Sequence, residues 1–121
     1  MSLVIHVDRA NPARTYLRLD GRLDSNTAPE FEKKLDVVLT APPRAVVCDL
    51  AKLEYISSAG LRCFARIQNV MRQADGEALM VNVQPGVQKV FDMVKALPGK
   101  NFFNTIKELD QYLDAQIRRL K

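Results

Sequence analysis

The stretch Asp49-Leu50-Ala51-Lys52-Leu53-Glu54-Tyr55-Ile56-Ser57-Ser58-Ala59-Gly60-Leu61 joins two segments of different periodicity, and the change of period across it decides the fold. Before it, Ala45-Val46-Val47-Cys48 is a short unbroken apolar run, the pattern of a strand buried on both faces, and Asp49 is predicted to end that strand. After it, Phe64, Ile67, Val70, Met71 and Ala74 recur at helical spacing. Tyr55 and Ile56 then fall in a connection, and Ser57-Ser58-Ala59-Gly60 stand at the start of a helix. A buried strand that feeds an amphipathic helix is half of a parallel crossover unit.

Upstream, Leu3 to Val7 and Thr15 to Leu19 are strand-like runs separated by the turn signal Asn11-Pro12, which predicts an opening hairpin. Asp20-Gly21 ends or kinks the second strand, and a short continuation through Leu23 leads into the loop residues Asp24-Ser25-Asn26. Thr27 and Glu30 make a capping-box pattern, Pro29 is tolerated in a first turn, and Phe31, Leu35, Val38 and Leu39 follow at helical spacing until Pro42-Pro43. Downstream, Asp75-Gly76 closes the second helix and Ala78 to Val83 reads as a strand. Pro85-Gly86 opens a third helix on Val87, Val90, Phe91, Val94 and Leu97, and Pro98-Gly99 ends it. Phe102-Phe103 is a very short strand, and Thr105 with Glu108 opens a fourth helix on Ile106, Leu109, Leu113, Ile117 and Leu120. The order ββαβαβαβα predicts an α/β fold: a mixed, mostly parallel four- to five-stranded sheet with four α-helices, its hairpin supplying one antiparallel edge. The last helix is expected outside the sheet or against another helix. With no internal repeat, low-complexity stretch or long linker, residues 1–121 read as a single domain.

Composition narrows the function. With 121 residues, 47% hydrophobic, 26% charged, five Gly and six Pro, the disordered, collagenous and fibrous classes are excluded. No apolar stretch approaches the roughly 18 residues that cross a bilayer, and MSLVIHVDRA reaches Asp8 and Arg9 too soon for a signal peptide, so a cytoplasmic location is expected. Cys48 and Cys63 lack CxxC spacing and suggest buried thiols rather than a disulfide or a zinc site. The formal charge is +4, with eight basic and eight acidic residues over 1–60 and ten and six over 61–121. No Lys/Arg run exceeds two, so neither a nucleic acid nor a membrane surface is an expected partner.

Catalytic sets are missing. His6 is the sole histidine and lies on a predicted strand; there is no Gly-x-Ser-x-Gly elbow, no GxGxxG and no phosphate-binding GxxxxGK[ST]. An enzyme, a cofactor and a metal are all unexpected, because Asp49 and Glu54 alone make a poor divalent-cation site. What remains is a pair of hydroxyls at a helix start, where unpaired N–H groups and the positive dipole end would favour a serine-borne phosphate, or where either hydroxyl would simply cap the helix. Arg62, Arg66, Asn69 and Gln73 lie on the face opposite the apolar stripe, and Arg62, one turn beyond Ser58, suits a phosphate, an acidic partner or plain solvation. Cys63 lies beside the apolar stripe as a packed thiol.

The segment from Asp49 to Leu61 resembles the signature of the STAS domain, the family of sulfate transporters and anti-sigma-factor antagonists, in which a strand-end Asp-Leu leads to Asp-Ser-Ser/Thr-Gly-Leu. Leu19-Asp20-Gly21-Arg22-Leu23-Asp24, followed by the Thr27 helix, is also similar to the family pattern, and the likeness runs from about Leu3 to Leu113. The resemblance implies a bacterial regulatory binding module switched by serine phosphorylation, with an anti-sigma factor acting as an ATP-binding serine kinase for its partner and a serine phosphatase as a second one. Ser58 matches the phosphoacceptor, Gly60 the motif glycine, and Ser57 the usual aspartate, which makes Ser57 a competing acceptor; Ala59 replaces the second hydroxyl residue. Because strand ends and helix starts of a parallel sheet share one edge, the expected docking surface combines Asp24, Ser25, Asn26 and Thr27 with Ser57, Ser58, Ala59, Gly60, Leu61 and Arg62 on a monomer or weak dimer. The alternative is a STAS module that is not phosphorylated and binds a small anionic or lipid-like ligand, or serves a transport or signalling assembly as an accessory subunit.

Overall fold

A computed structural model describes residues 3–94 and 102–103. Its elements are β1 (Leu3–Asn11), β2 (Arg14–Leu23), α1 (Ala28–Val38), β3 (Ala45–Ile56), α2 (Ser58–Gln73), β4 (Glu77–Val81), α3 (Pro85–Val94) and β5 (Phe102–Phe103). The five strands lie in the order β1-β2-β3-β4-β5; β1 pairs antiparallel with β2, and every later pair is parallel. The expected α/β architecture with one antiparallel edge is therefore present. Three helices fall among the described residues, against the four expected; the predicted fourth, from Thr105 to Leu120, lies outside them.

The strand order determines where the helices go. Each crossover steps the chain one strand further in the same direction, and right-handed crossovers taken always in one direction place all their helices on one face. Phe31 of α1, Phe64 of α2 and Phe91 of α3 accordingly meet in a row, with centroids 5.8 and 5.5 Å apart. Tilted and edge-on pairs of this kind add about 0.5–1.5 kcal/mol each beyond the area they bury. Beneath them lie Leu17, Leu19 and Leu23 of β2 and Val46, Cys48 and Leu50 of β3, while Ala45, Val47, Leu79 and Val81 form a separate buried cluster with Tyr16 packed against it.

Three local expectations are corrected. Asp49 does not end β3, and Tyr55 and Ile56 are strand residues rather than a connection. β4 stops pairing with β3 at Asp49↔Val81, but β2 stays paired through Arg22↔Tyr55 and Leu23↔Ile56. Past Asp49 the strand thus has one sheet neighbour, Leu50, Leu53 and Ile56 stay buried, and Lys52, Glu54 and Tyr55 are exposed. Two register shifts stretch the apolar spacing from two to three residues and hide the strand period. Of the two readings of Asp20-Gly21 the kink holds: β2 continues to Leu23, and Gly21 has φ 124°, a conformation natural to glycine. Secondly, the capping box at Thr27 and Glu30 does not form, because the Thr27 hydroxyl donates to the Arg22 carbonyl at 2.8 Å and accepts from the Asp24 N–H at 2.9 Å. Thirdly, β4 spans Glu77–Val81 rather than running on to Val83, because Asn82 turns to φ 57°.

Candidate functional site

The carboxyl ends of β2 and β3 and the amino ends of α1 and α2 meet on one sheet edge, as the parallel topology requires. The Ser57 N–H donates to the Leu23 carbonyl at 2.9 Å, so the β3–α2 connection is tied to the end of β2, next to the loop that opens α1. The two segments expected to form a docking surface are thus adjacent.

The β2–α1 loop is internally bonded. The Asp24 carboxylate accepts from the N–H groups of Asn26 at 2.9 Å and Thr27 at 3.0 Å, and the Asp24 carbonyl accepts from Ala28 N–H at 2.8 Å. The Thr27 amide above all holds the Asp24 carboxyl below its ordinary pKa; partial burial opposes this, and the Asn26 amide, the Thr27 hydroxyl and the Arg22 charge add to it. Ser25 and Asn26 are exposed, whereas Thr27 is buried and serves as the loop's internal tie.

At the start of α2 the two serines differ. Ser57 is the N-cap residue, with extended φ −101° and ψ 177°, and its half-buried hydroxyl accepts from Gly60 N–H at 3.4 Å. Ser58 is the first helical residue and is exposed. Gly60 is required by space: a Cβ there would meet Leu23 Cγ at 2.7 Å and Ile56 Cγ1 at 2.8 Å. This close approach seats the helix start directly on the ends of both strands. Ala59 is half-buried, and Gly60 and Leu61 are buried, so these three shape the edge more than they present themselves on it.

The contacts of two cationic side chains, Arg22 and Arg66, escaped the sequence reading. The Arg22 guanidinium carbon lies 4.2 Å from the centre of the Tyr55 ring, which is 40% exposed. The two residues are direct partners across β2 and β3, so only the register brings them together. Arg66, expected on an open polar face, instead bonds Glu32 at 2.7 Å and Asp36 at 2.6 Å and bridges α2 to α1. The spacing of Glu32 and Asp36, one turn apart on the first helix, is the signal that could have exposed this bridge. Arg62 is exposed and has no ion pair among the described residues.

The remaining candidates lie apart. Asp49 accepts from Ala51 N–H at 3.1 Å and Asn82 Nδ2 at 3.2 Å, which ties β3 to the turn after β4. Among the described residues no group of three or more potential metal ligands occurs, and no helix is long and apolar enough to cross a membrane. His6 is exposed on edge strand β1. Burial pushes both thiols up to about 12; at Cys63, which donates to the Ala59 carbonyl at 3.5 Å, the neighbouring Glu32 adds to the shift.

A mostly parallel sheet with the described helices on one face and a serine-bearing helix start on the edge defines a small α/β domain. The sequence profile of the STAS domain matches residues 5–109, and the chain belongs to that family. It is 37% identical over 75 residues to BtrV of Bordetella bronchiseptica, by name a candidate anti-sigma factor antagonist; the match covers 62% of this chain and 65% of that protein, less than two thirds of its length. Among solved structures, the anti-sigma factor antagonist SpoIIAA in its unphosphorylated form superposes with a TM-score of 0.79 at 17% identity, over 93% of this chain and 97% of that one. Its phosphorylated form, from Bacillus, superposes with 0.73 at 16% identity, over 91% and 99%. A sulfate transporter family protein from Wolinella succinogenes superposes with 0.74 at 14% identity, over 89% and 90%. At such identities the structural likeness is one of fold.

Proposed function

We propose that this STAS domain is a regulatory binding module of the anti-sigma factor antagonist kind, that it docks a partner on the edge formed by residues 24–27 and 57–62, and that phosphorylation of Ser58 switches it off. The observation that carries the reading is the division between the serines: Ser57 caps α2 with its hydroxyl turned to Gly60 N–H, while Ser58 stands exposed on the first turn. The relative BtrV and the solved phosphorylated SpoIIAA support it. The partner is an ATP-binding serine kinase of the anti-sigma type. In the modifying step Ser58 Oγ forms a bond to the γ-phosphorus of ATP, the bond to the β–γ bridging oxygen breaks, ADP leaves, and the hydroxyl proton passes to a base on the kinase. A serine phosphatase reverses the modification by hydrolysis, and the module works in the cytoplasm as a monomer or weak dimer.

A helix N-terminus tolerates negative charge, so the fold survives the phosphate. A partner closing over the edge must instead desolvate that charge, which costs several kcal/mol when poorly paired. The test is incubation with an ATP-binding serine kinase of the anti-sigma type and ATP, followed by mass spectrometry and binding measurements. Modification at Ser58 is expected, retained in Ser57→Ala and lost in Ser58→Ala, and Ser58→Asp should weaken partner binding by roughly tenfold, or about 1.4 kcal/mol. Modification at Ser57 alone, or at neither serine, would overturn the switch and favour a module that is not phosphorylated and binds a small anionic or lipid-like ligand.

A further inference from the structure

Arg62 is the cation on the exposed face of α2 that follows Ser58 by four residues, one helical turn. Residues so spaced carry their Cβ atoms about 5–6 Å apart on one face, and long side chains in a helix lean back toward its amino end, which puts position 58 within the span of the Arg62 side chain. The next cation along α2, Arg66, already holds Glu32 and Asp36. α2 has no acidic residue in its first turn, so a phosphate on Ser58 would have no anionic neighbour there to compete for Arg62.

We propose that Arg62 is the intramolecular counter-ion of a phosphate on Ser58, and that phosphorylation thereby withdraws this cation from the docking edge. The inference rests on the proposed modification of Ser58 and deepens it. In the unmodified chain Arg62 has no ion pair among the described residues and is available to an acidic group of the partner. In the modified chain the planar guanidinium forks onto two phosphate oxygens. The switch then removes an attractive contact while it adds a repulsive one.

The experiment uses the full chain with phosphoserine installed at position 58 during translation, so no kinase is involved and the result is independent of whether one modifies Ser58. The phosphate is titrated by phosphorus NMR at low salt, and the Arg62 Nε–H resonance is followed with and without the phosphate. An i,i+4 charge pair should favour the dianion enough to lower its second pKa by ~0.3 unit, about twofold in the dissociation constant, relative to Arg62→Gln. Arg62→Lys should restore part of that shift, Arg66→Gln should leave it unchanged, and Arg62 Nε–H exchange should slow only in the phosphorylated parent. Titrations that coincide for the parent and Arg62→Gln, or an equal shift from Arg66→Gln, would overturn the proposal. Because Arg62 is exposed and Arg66 is not required for the titration itself, far-UV circular dichroism of each variant separates a lost pairing from a lost fold.

Discussion

Replacing Gly60 with alanine sets two opposed effects against each other, and the structure decides between them. Gly60 has an ordinary helical position in the first turn of α2, so a side chain there would normally gain about 0.5–1 kcal/mol of backbone entropy. The added methyl, however, would come within 2.7 and 2.8 Å of two atoms of Leu23 and within 2.8 Å of Ile56. Neither neighbour can swing away, because Leu23 is 0% and Ile56 3% exposed in the main core. Overpacking of this kind costs typically about 1–3 kcal/mol, and three close contacts on two immobile side chains favour the upper half of that range. A net loss of about 1–2 kcal/mol follows, which for a domain of this size lowers Tm by roughly 4–8 °C. Gly86, in the first turn of α3, supplies the control: nothing lies within 4 Å of its missing Cβ, so Gly86→Ala should be neutral or stabilising by up to about 1 kcal/mol. Urea unfolding followed by circular dichroism measures both variants. If Gly60→Ala matched or exceeded the parent in stability, the close seating of α2 on the strand ends would be refuted, and with it the rigid placement of Ser57 and Ser58.

Two further outcomes can be read without a partner. Asp24 has its pKa lowered in the fold, so its contribution is present at neutral pH, persists above the unfolded value of 3.8, and is lost as pH falls through the folded value. Thermal unfolding from about pH 5 to pH 2 should therefore fall less steeply for Asp24→Asn, which keeps an acceptor oxygen for the Asn26 and Thr27 amides; identical slopes would show that the loop does not draw on the charge. Cys48 and Cys63, with thiols raised to about 12, should stay unlabelled by a disulfide reagent at pH 8 in the native protein and both react after unfolding, whereas rapid native labelling of Cys63 would contradict its burial on the side of α2 that faces Glu32 of α1.

The fold was legible wherever local pattern and burial agree. The apolar run 45–48 and the periodicity of α2 and α3 each report a face that meets the core, and Asn11-Pro12 marks the exposed hairpin turn by its residue types. Legibility failed where a non-local neighbour overrides the pattern. β3 beyond Asp49 is a strand because β2 continues beside it, and no property of residues 50–56 alone announces that partner. Thr27 looks like the opening of a capping box, yet its hydroxyl is claimed by the carbonyl of Arg22, five residues upstream, a partner that the local pattern does not announce. In the candidate site, the adjacency of the two loops follows from topology and was legible; the stacking of Arg22 on Tyr55 and the capture of Arg66 by α1 depend on register and helix contact and were not.

The serine in place of the family's aspartate gains its meaning from this geometry. An N-cap position accepts hydroxyl and carboxylate about equally well, so Ser57 fulfils the structural duty through Gly60 N–H without bringing charge to the edge. With no acidic residue in the first turn, the start of α2 is electrically neutral apart from its dipole, and Arg62 one turn on gives it a positive bias. A phosphate of nearly two negative charges on Ser58 would therefore reverse the sign of this end of the helix rather than deepen an existing negative potential. An aspartate at position 57 would blunt that contrast by supplying a permanent anion beside the modified residue and a second claimant for Arg62. The neutral cap thus leaves the helix start held by Ser57 and makes Ser58 the residue of the α2 first turn whose charge would change, which separates the capping of the helix from the signal it would carry.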